Sequence, residues 1–539
     1  MTAILKNKKN PEVIEESYKN VHHPVNGIRL SCEICLIKKQ NYQLRADAGY
    51  WKKQHARACD RLSEKEKQNK ELNARIRYLT QQLYGQKTEK KSSTEKDKKS
   101  NRDKKNRGHQ PGSPQHPRRN YDHLPAKEEM CNLDEDKRAC PCCGLPFEEL
   151  SGTEDSIIIE VEVSAHTRKI RKKRYRRTCH CEGVPGIITA PGPPKLLPKT
   201  RIGISVWALI LLNKYHFQIP MYRILNQLSI TGLSIPQGTI GDGLKRMKDI
   251  FNPIYDAIIE KNLAGQWWQA DETRWQVMEL APGKLSYRWQ LWVFITTETV
   301  VYRMDPTRAT KVIKRHFGKI SKGILLVDRY SSYKSFVKDL PSFILAFCWA
   351  HVRRDFLDAA KKYPVLENWA MDWKEAIGNL FHLNKKRLAH PVDSKEFTEN
   401  NLILKKAIAD FRTKYETELQ QPKQHCECKA VLKSLKNHWD GLTVFIDYPY
   451  IPMDNNESER KMRNPGLGRK GYYGSGRIWS AHFTAKMFSI FQTLVKWNIN
   501  LLDWLTSYLK ACAQNKGSPP DDITTFLPWN IISKPITEK

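Results

Sequence analysis

The sequence predicts a multidomain α+β protein, and three observations carry that expectation. A chain of 539 residues is too long for one hydrophobic core. Its helix-period and strand-period segments come in blocks rather than in strict alternation. Polar or proline-rich stretches separate the blocks and mark boundaries.

Residues 1–40 form an N-terminal extension with the pair Cys32/Cys35. Over residues 41–86 apolar side chains recur on a heptad that runs through Leu44, Trp51, Leu62, Leu72, Ile76, Leu79 and Leu83. The seam is cleanest from Leu62 onward, interrupted by Lys65 and Asn69, and predicts a long self-associating coiled-coil helix ending at Gly85. A lone amphipathic helix docked on its own protein is the competing reading. Residues 87–120 are basic, polar and of low complexity, a disordered linker.

Residues 121–198 read as a zinc-binding module. Cys140 and Cys143 in "CPCCG", with Cys179 and Cys181 in "CHC", offer four thiolates from two knuckles. Cys142 and His180 are alternative ligands. Between the knuckles, "SIIIEVEVSAHTRKIRKKRYRR" alternates as strands do. A four-thiolate site leaves no open position, so the metal would be structural. Residues 199–262 are helical, and "IPMYRILNQLSITGLSIPQGTIGDGLKRMKDIF" reads as a helix, a turn and a second helix opening near Thr239. That pattern is helix-turn-helix-like, with ordinary helix packing an equal reading.

From Trp267 the period shortens. "WWQADETRWQVM", "YRWQLWVFITTETVVYRM" and "GILLVDRYSSY" predict strands of a buried sheet within residues 263–365. Residues 366–442 return to a helical pattern with charged faces. Residues 443–500 hold the helix start "MDNNESERKMRN" and the apolar helix "SAHFTAKMFSIFQTLVKWNI", and residues 501–539 form a C-terminal helix and tail.

A formal net charge of +33 points to a polyanionic partner, nucleic acid before membrane. Part of that charge lies in the linker, but Arg168–Arg177 and Arg460–Lys470 fall inside structured-looking segments, where it is available for binding. No secretory signal is visible, and no run of apolar residues is long enough to suggest a membrane span. The cysteines fall in close pairs, Cys426/Cys428 among them. In a chain that reads as cytoplasmic, such pairs are metal ligands rather than disulfides.

Asp271 lies within a strand and Asp328 ends another. Two aspartates on neighbouring strands and a glutamate on a later helix would suit phosphodiester chemistry, which needs clustered hard oxygen ligands. Two glutamates compete for the third place. Glu457 and Glu459 both fit capping boxes, with Asp454 and Asn456 respectively, and both fit helix-surface pairs, with Lys461 and Arg463.

The motifs, in order, resemble the transposases of the insertion sequence 66 family, which have an RNase H-like DDE domain. The similar stretches are "LNARIRYLTQQLYGQKTEK", "CPCCG", "RRTCHCEG", "KYHFQIPMYRILNQLSITGLSIPQGTIGDGL", "QADET", "LLVDRYSSY", "CWAHVRRDF", "DNNESERKMR", "LGRKGYYGSG" and "FLPWN", over about residues 41–530. The resemblance implies an RNase H-like α/β core with a helical insertion across the 131 positions from Asp328 to Glu459. It implies a DNA transposase that binds terminal inverted repeats, with Asp271, Asp328 and Glu459 as the catalytic acids, and it favours Glu459 over Glu457. Those acids would hold two magnesium (or manganese) ions, and Cys140, Cys143, Cys179 and Cys181 a structural zinc. DNA contacts are expected from Arg168, Lys172, Arg174, His351, Arg353, Arg354, Arg460, Arg463, Arg469 and Lys470. The expected partners are DNA, a second copy through the zipper and small accessory proteins of the same element. The expected location is cytoplasmic, at the nucleoid. Where the family often has Asp-Gly-Tyr, this chain has Asp328-Arg329-Tyr330. A decayed DNA-binding repressor and an RNase H-like nuclease or resolvase are the rival readings.

Overall fold

A computed structural model describes residues 32–84 and 127–531, apart from 129, 133, 135–136, 139, 149–155, 157, 160, 162, 177, 179–182, 184, 186, 284–285, 319 and 321. Most of the N-terminal extension and all of the linker lie outside the described residues, as do Cys179 and Cys181. The chain divides into two compact units, residues 1–89 with 361–365, and residues 90–360 with 366–539.

The first unit contains one helix, α1 (Cys32–Tyr84), of 53 residues. At 1.5 Å per residue it is about 80 Å long. It opens well before the heptad seam and takes in the backbone of Cys32 and Cys35. The seam side chains Leu44, Trp51, Leu62, Leu72, Ile76 and Leu79 are all exposed.

In the second unit, strand structure in the cysteine-containing segment is shorter than its alternation predicts. Among the described residues there, only β1 (Arg174–Arg176) and β2 (Ile187–Thr189) pair, antiparallel. Ile158, Val161 and Val163 are exposed. Alternation makes a strand only where another segment supplies ladder partners and a covering layer.

Four helices follow: α2 (Ile204–Tyr215), α3 (Met221–Ile230), α4 (Gln237–Met247) and α5 (Asn252–Leu263). The second helix of the expected pair opens at Gln237, directly behind Pro236 and two residues before Thr239. Helix α4 lies against α2 at Gly243, where an added Cβ would meet the Trp207 indole at 2.1 Å.

The sheet is built from β3 (Trp267–Val277), β4 (Arg288–Ile295), β5 (Val300–Asp305), β6 (Gly323–Val327) and β7 (Phe343–Phe347), in the order β5-β4-β3-β6-β7. The first three strands run antiparallel, and β6 and β7 run parallel to β3. Helices α6 (Thr310–Phe317), α7 (Ser331–Asp339) and α8 (Trp349–Lys362) alternate with these strands.

Strand alternation sorts side chains onto two buried faces. Trp275, Val277, Leu291, Val293 and Ile295 join the core shared with α5, whereas Trp268, Trp292 and Phe294 meet Phe317, Tyr333 and Phe343. Burying each such ring stabilises the fold by about 2–3 kcal/mol.

Helices α9 (Glu367–Arg387), α10 (Lys395–Gln420), α11 (Cys426–Asn437) and α12 (Trp439–Asp447) interrupt the sheet-forming sequence. Arg387 is wholly buried within them. Its terminal nitrogens reach Asn384, Asn401 and the carbonyls of Phe445 and Ile446, which compensates the loss of water. The chain then returns to the sheet through α13 (Asn456–Tyr472), β8 (Gly474–Ser475), α14 (Ile478–Lys496) and α15 (Leu501–Gln514).

Helix α14 covers the outer edge of the sheet. Ser489 and Thr493, one turn apart, accept the N–H groups of Tyr302 (2.7 Å) and Val300 (3.1 Å) on β5, so these edge donors are satisfied. Helix α13 contains Pro465, which has no N–H for the Lys461 carbonyl one turn earlier. The hydroxyl of Tyr302 donates to that carbonyl at 2.8 Å.

Candidate active site

Two parallel strands bring the aspartates level. Strands β3 and β6 pair with Trp267 opposite Ile324 and Gln269 opposite Leu326. Continuing that register by two residues places Asp271 beside Asp328. The helix bearing Glu459 is fastened to the same strands at its first residues. The Asn455 N–H donates to the buried Cys348 Sγ (3.2 Å), and Asn455 Nδ2 donates to the Ala270 carbonyl (3.0 Å). The Ser458 N–H donates to Gln269 Oε1 (3.2 Å), and the Trp349 N–H to the Met453 carbonyl (2.9 Å).

Neither expected capping box closes, although Asp454 Oδ1 accepts the Asn456 N–H at 3.1 Å at the start of α13. Asn455 occupies the cap position of α13, yet its side chain makes no cap hydrogen bond. Glu457 pairs with Lys496 on α14 rather than with Asp454 or Lys461, and Lys461 reaches Gln492 instead. The placement of α14 beside α13 brings these partners closer than the neighbours along α13.

Asp271 Oδ1 accepts the Glu272 N–H at 2.8 Å, and Asp328 Oδ1 accepts the Tyr330 N–H at 3.0 Å. Burial lifts the Asp271 carboxyl to about 7, and the charges of Glu272, Asp328 and Glu459 add to the lift. Glu272 points to the opposite face of β3, where Tyr333 Oη and Arg308 Nε each donate to it at 2.7 Å. Its carboxyl is also raised, chiefly by burial, against the pull of those two donors.

Glu459 faces helix α8, with His351 Nε2 at 3.6 Å and Arg354 Nη2 at 3.7 Å, too long for hydrogen bonds. Burial and Arg354 lower the pKa of His351, whose buried Nδ1 has no hydrogen-bond partner.

The expected DNA contacts divide by placement. Arg460, Arg463 and Lys470 are exposed on α13, and Arg354 is exposed on α8. Arg469 turns inward and donates to Thr273 Oγ1 (3.3 Å) and the Arg274 carbonyl (3.0 Å), tying α13 to β3. Arg353 is half-buried, and Arg168, Lys172 and Arg174 are exposed in the cysteine-containing segment.

Sequence reasoning missed the supports. Glu272 is adjacent to Asp271, and strand alternation alone separates their roles. Tyr333, Cys348 and Asn455 stand within the family-like stretches, but nothing along the chain shows which partner each meets, and Arg308 stands in none of those stretches.

Residues 199–483 match the family model described as Transposase IS66 family. The chain belongs to that family. The interval holds all three acids, whereas α1 and the cysteine-containing segment lie before it. Among its relatives are uncharacterized proteins of Sinorhizobium fredii (strain NBRC 101917 / NGR234). One, y4jD, is 24% identical over 430 residues, 76% of this chain and 80% of its own length. Another, y4qI, is 26% identical over 369 residues, 65% of this chain and 66% of its own. No solved structure matches.

In this IS66 transposase the acids suit hard divalent cations by chemistry. They are oxygen donors, and burial together with the charges of Glu272, Asp328 and Glu459 raises the Asp271 carboxyl, which a bound cation would offset. Among the described residues, no three of His, Cys, Asp and Glu are grouped as metal ligands in this arrangement.

The first cysteine knuckle suits a thiolate. The N–H groups of Cys142 and Cys143 point at the Cys140 sulfur and lower its pKa, and the Gly144 N–H closes the loop onto the Cys140 carbonyl at 2.9 Å. Cys426/Cys428 does not. Burial raises Cys428 to about 11, and the His425 side chain caps α11 by accepting the Glu427 N–H at 3.2 Å. Among the described residues no helix is long and apolar enough to cross a membrane.

Proposed function

We propose that this IS66 transposase cuts and joins DNA at the terminal inverted repeats of its element by a DDE mechanism on an RNase H-like core. Asp271, Asp328 and Glu459 would hold two magnesium (or manganese) ions. When bound, these ions supply Lewis acidity at the attacking and leaving oxygens. The observation that carries the reading is the level placement of Asp271 and Asp328, with Asp271 raised by burial and by neighbouring charges that include both other acids.

The chain's own groups do the rest. The sheet fixes both aspartates, and the anchored start of α13 sets the approach of Glu459. Glu272, held by Arg308 and Tyr333, keeps the neighbouring backbone of β3 in place. Arg354, Arg460, Arg463 and Lys470 offer phosphate contacts around the acids, and His351 lines the same side. Water cleaves the phosphodiester to leave a 3′-hydroxyl. That hydroxyl then attacks a target phosphodiester, forming the new 3′–5′ link and releasing a target 3′-hydroxyl.

Outside the core, Cys140, Cys143, Cys179 and Cys181 would hold a structural zinc in a module whose Arg168, Lys172 and Arg174 contact DNA. Helices α3 and α4 would act as a helix-turn-helix. The exposed seam of α1 would pair two copies and so bring two DNA ends together. Small proteins of the same element are further partners.

The test is strand joining in vitro with end DNA and magnesium. Asp328→Asn is expected to keep end binding and lose joining by at least about a hundredfold, a loss of roughly 3 kcal/mol of transition-state stabilisation. Equal joining by wild type and variant would refute the reading.

A further inference from the structure

The residue after the second acid is held from both sides. The Asp328 carboxylate accepts the Tyr330 N–H and closes a turn with Arg329 at its centre. The Arg329 side chain is only 16% exposed. Its Nη1 donates to Ser434 Oγ on α11 at 3.0 Å, and its Nη2 pairs with Asp355 on α8. Beside this contact, His438 Nδ1 meets the Ser434 carbonyl at 2.6 Å, and its Nε2 meets Lys334 of α7. On the other flank, the Arg308 guanidinium lies 3.6 Å from the centre of the Tyr330 ring and also holds Glu272.

A turn closed by an aspartate side chain needs no arginine at its centre. A guanidinium taken out of water costs free energy unless it is well partnered. Here its partners lie on α8, which carries His351 and Arg354, and on α11, which belongs to the helical insertion. The same arginine therefore links the acid's turn, the helix facing Glu459 and the insertion.

We propose that Arg329 is a positioning residue that fixes the Asp328 carboxylate for metal binding by tying its turn to α8 and to the helical insertion. The insertion is then part of the geometry of the site. This inference rests on the reading of Asp328 as a metal-holding acid.

Full-length wild type, Arg329→Ala, Arg329→Lys and Ser434→Ala are compared, with Asp328→Asn as control. Manganese affinity is measured by titration calorimetry, and melting temperature is measured without metal. Arg329→Ala is expected to weaken manganese binding about tenfold or more, as loss of support behind a ligand does. Ser434→Ala should lose less, and Arg329→Lys should fall between them, because a point charge keeps Asp355 but not the fork. The order of affinities should not follow the order of melting temperatures. Wild-type affinity in Arg329→Ala overturns the proposal, as does wild-type affinity in Ser434→Ala if Arg329→Ala does not fold. Wild-type affinity in Asp328→Asn overturns the reading beneath it. Loss in Asp328→Asn alone overturns only the positioning role.

Discussion

At Asp271 the surroundings favour the protonated acid. An ordinary aspartate ionises near 3.8, whereas burial and three neighbouring carboxylates hold the Asp271 proton up to about 7. The folded chain therefore binds the extra proton between those values. Its contribution to stability is complete below the lower value and is lost as pH rises through the upper one. Above neutrality, the ionised group costs the metal-free protein about 2–4 kcal/mol, reduced by solvent screening at this half-buried position. Asp271→Asn is expected to raise the melting temperature of the metal-free protein at about pH 8 and to change it little at about pH 4. Magnesium should raise the melting temperature of wild type and not of the variant. Calorimetry across pH, with and without magnesium, checks both. The three positions proposed as acids each stand in a recognisable stretch of the sequence. The role of Glu457 was not legible there, since its partner Lys496 lies on another helix and local spacing favoured Lys461.

Among the elements, α13 shows how a local defect is made good by tertiary structure. Pro465 leaves the Lys461 carbonyl without its helical donor, and Tyr302 from the edge strand supplies one. Tyr302→Phe is expected to cost about 1–2 kcal/mol, the penalty of a part-buried carbonyl left unmet. In a Pro465→Ala background the restored N–H can bond that carbonyl, so the cost of Tyr302→Phe should fall. Denaturant unfolding of the four proteins measures this non-additivity, and additive losses would contradict it. The long helices and central strands were legible because their periods are sustained. The stretch around Ile158–Val163 was not, because alternation says nothing about whether a partner strand is present. The capping of α13 was misread for a related reason. The cap was expected at Asp454 or Asn456, whereas the cap position falls to Asn455, whose amide is held by the Ala270 carbonyl on β3.

For the whole molecule, the order of its parts was readable along the chain, and their convergence was not. No local pattern shows that Asp328 and Glu459 come within electrostatic reach of Asp271, or that Arg329 ties the acid's turn to Ser434 more than a hundred positions later. Sheet register and the anchors of α13 accomplish that. The net charge of +33 fits a DNA-acting protein of this transposase family, and exposed cations flank the acids on α8 and α13. Glu459 is the acid whose assignment required a choice, and it is the one supplied from across the insertion. The most direct measurement is therefore magnesium-dependent joining of element-end DNA by wild type and Glu459→Gln at equal end occupancy. The account predicts end binding within about twofold of wild type and joining reduced by at least about a hundredfold. Joining by Glu459→Gln at the wild-type rate would contradict it.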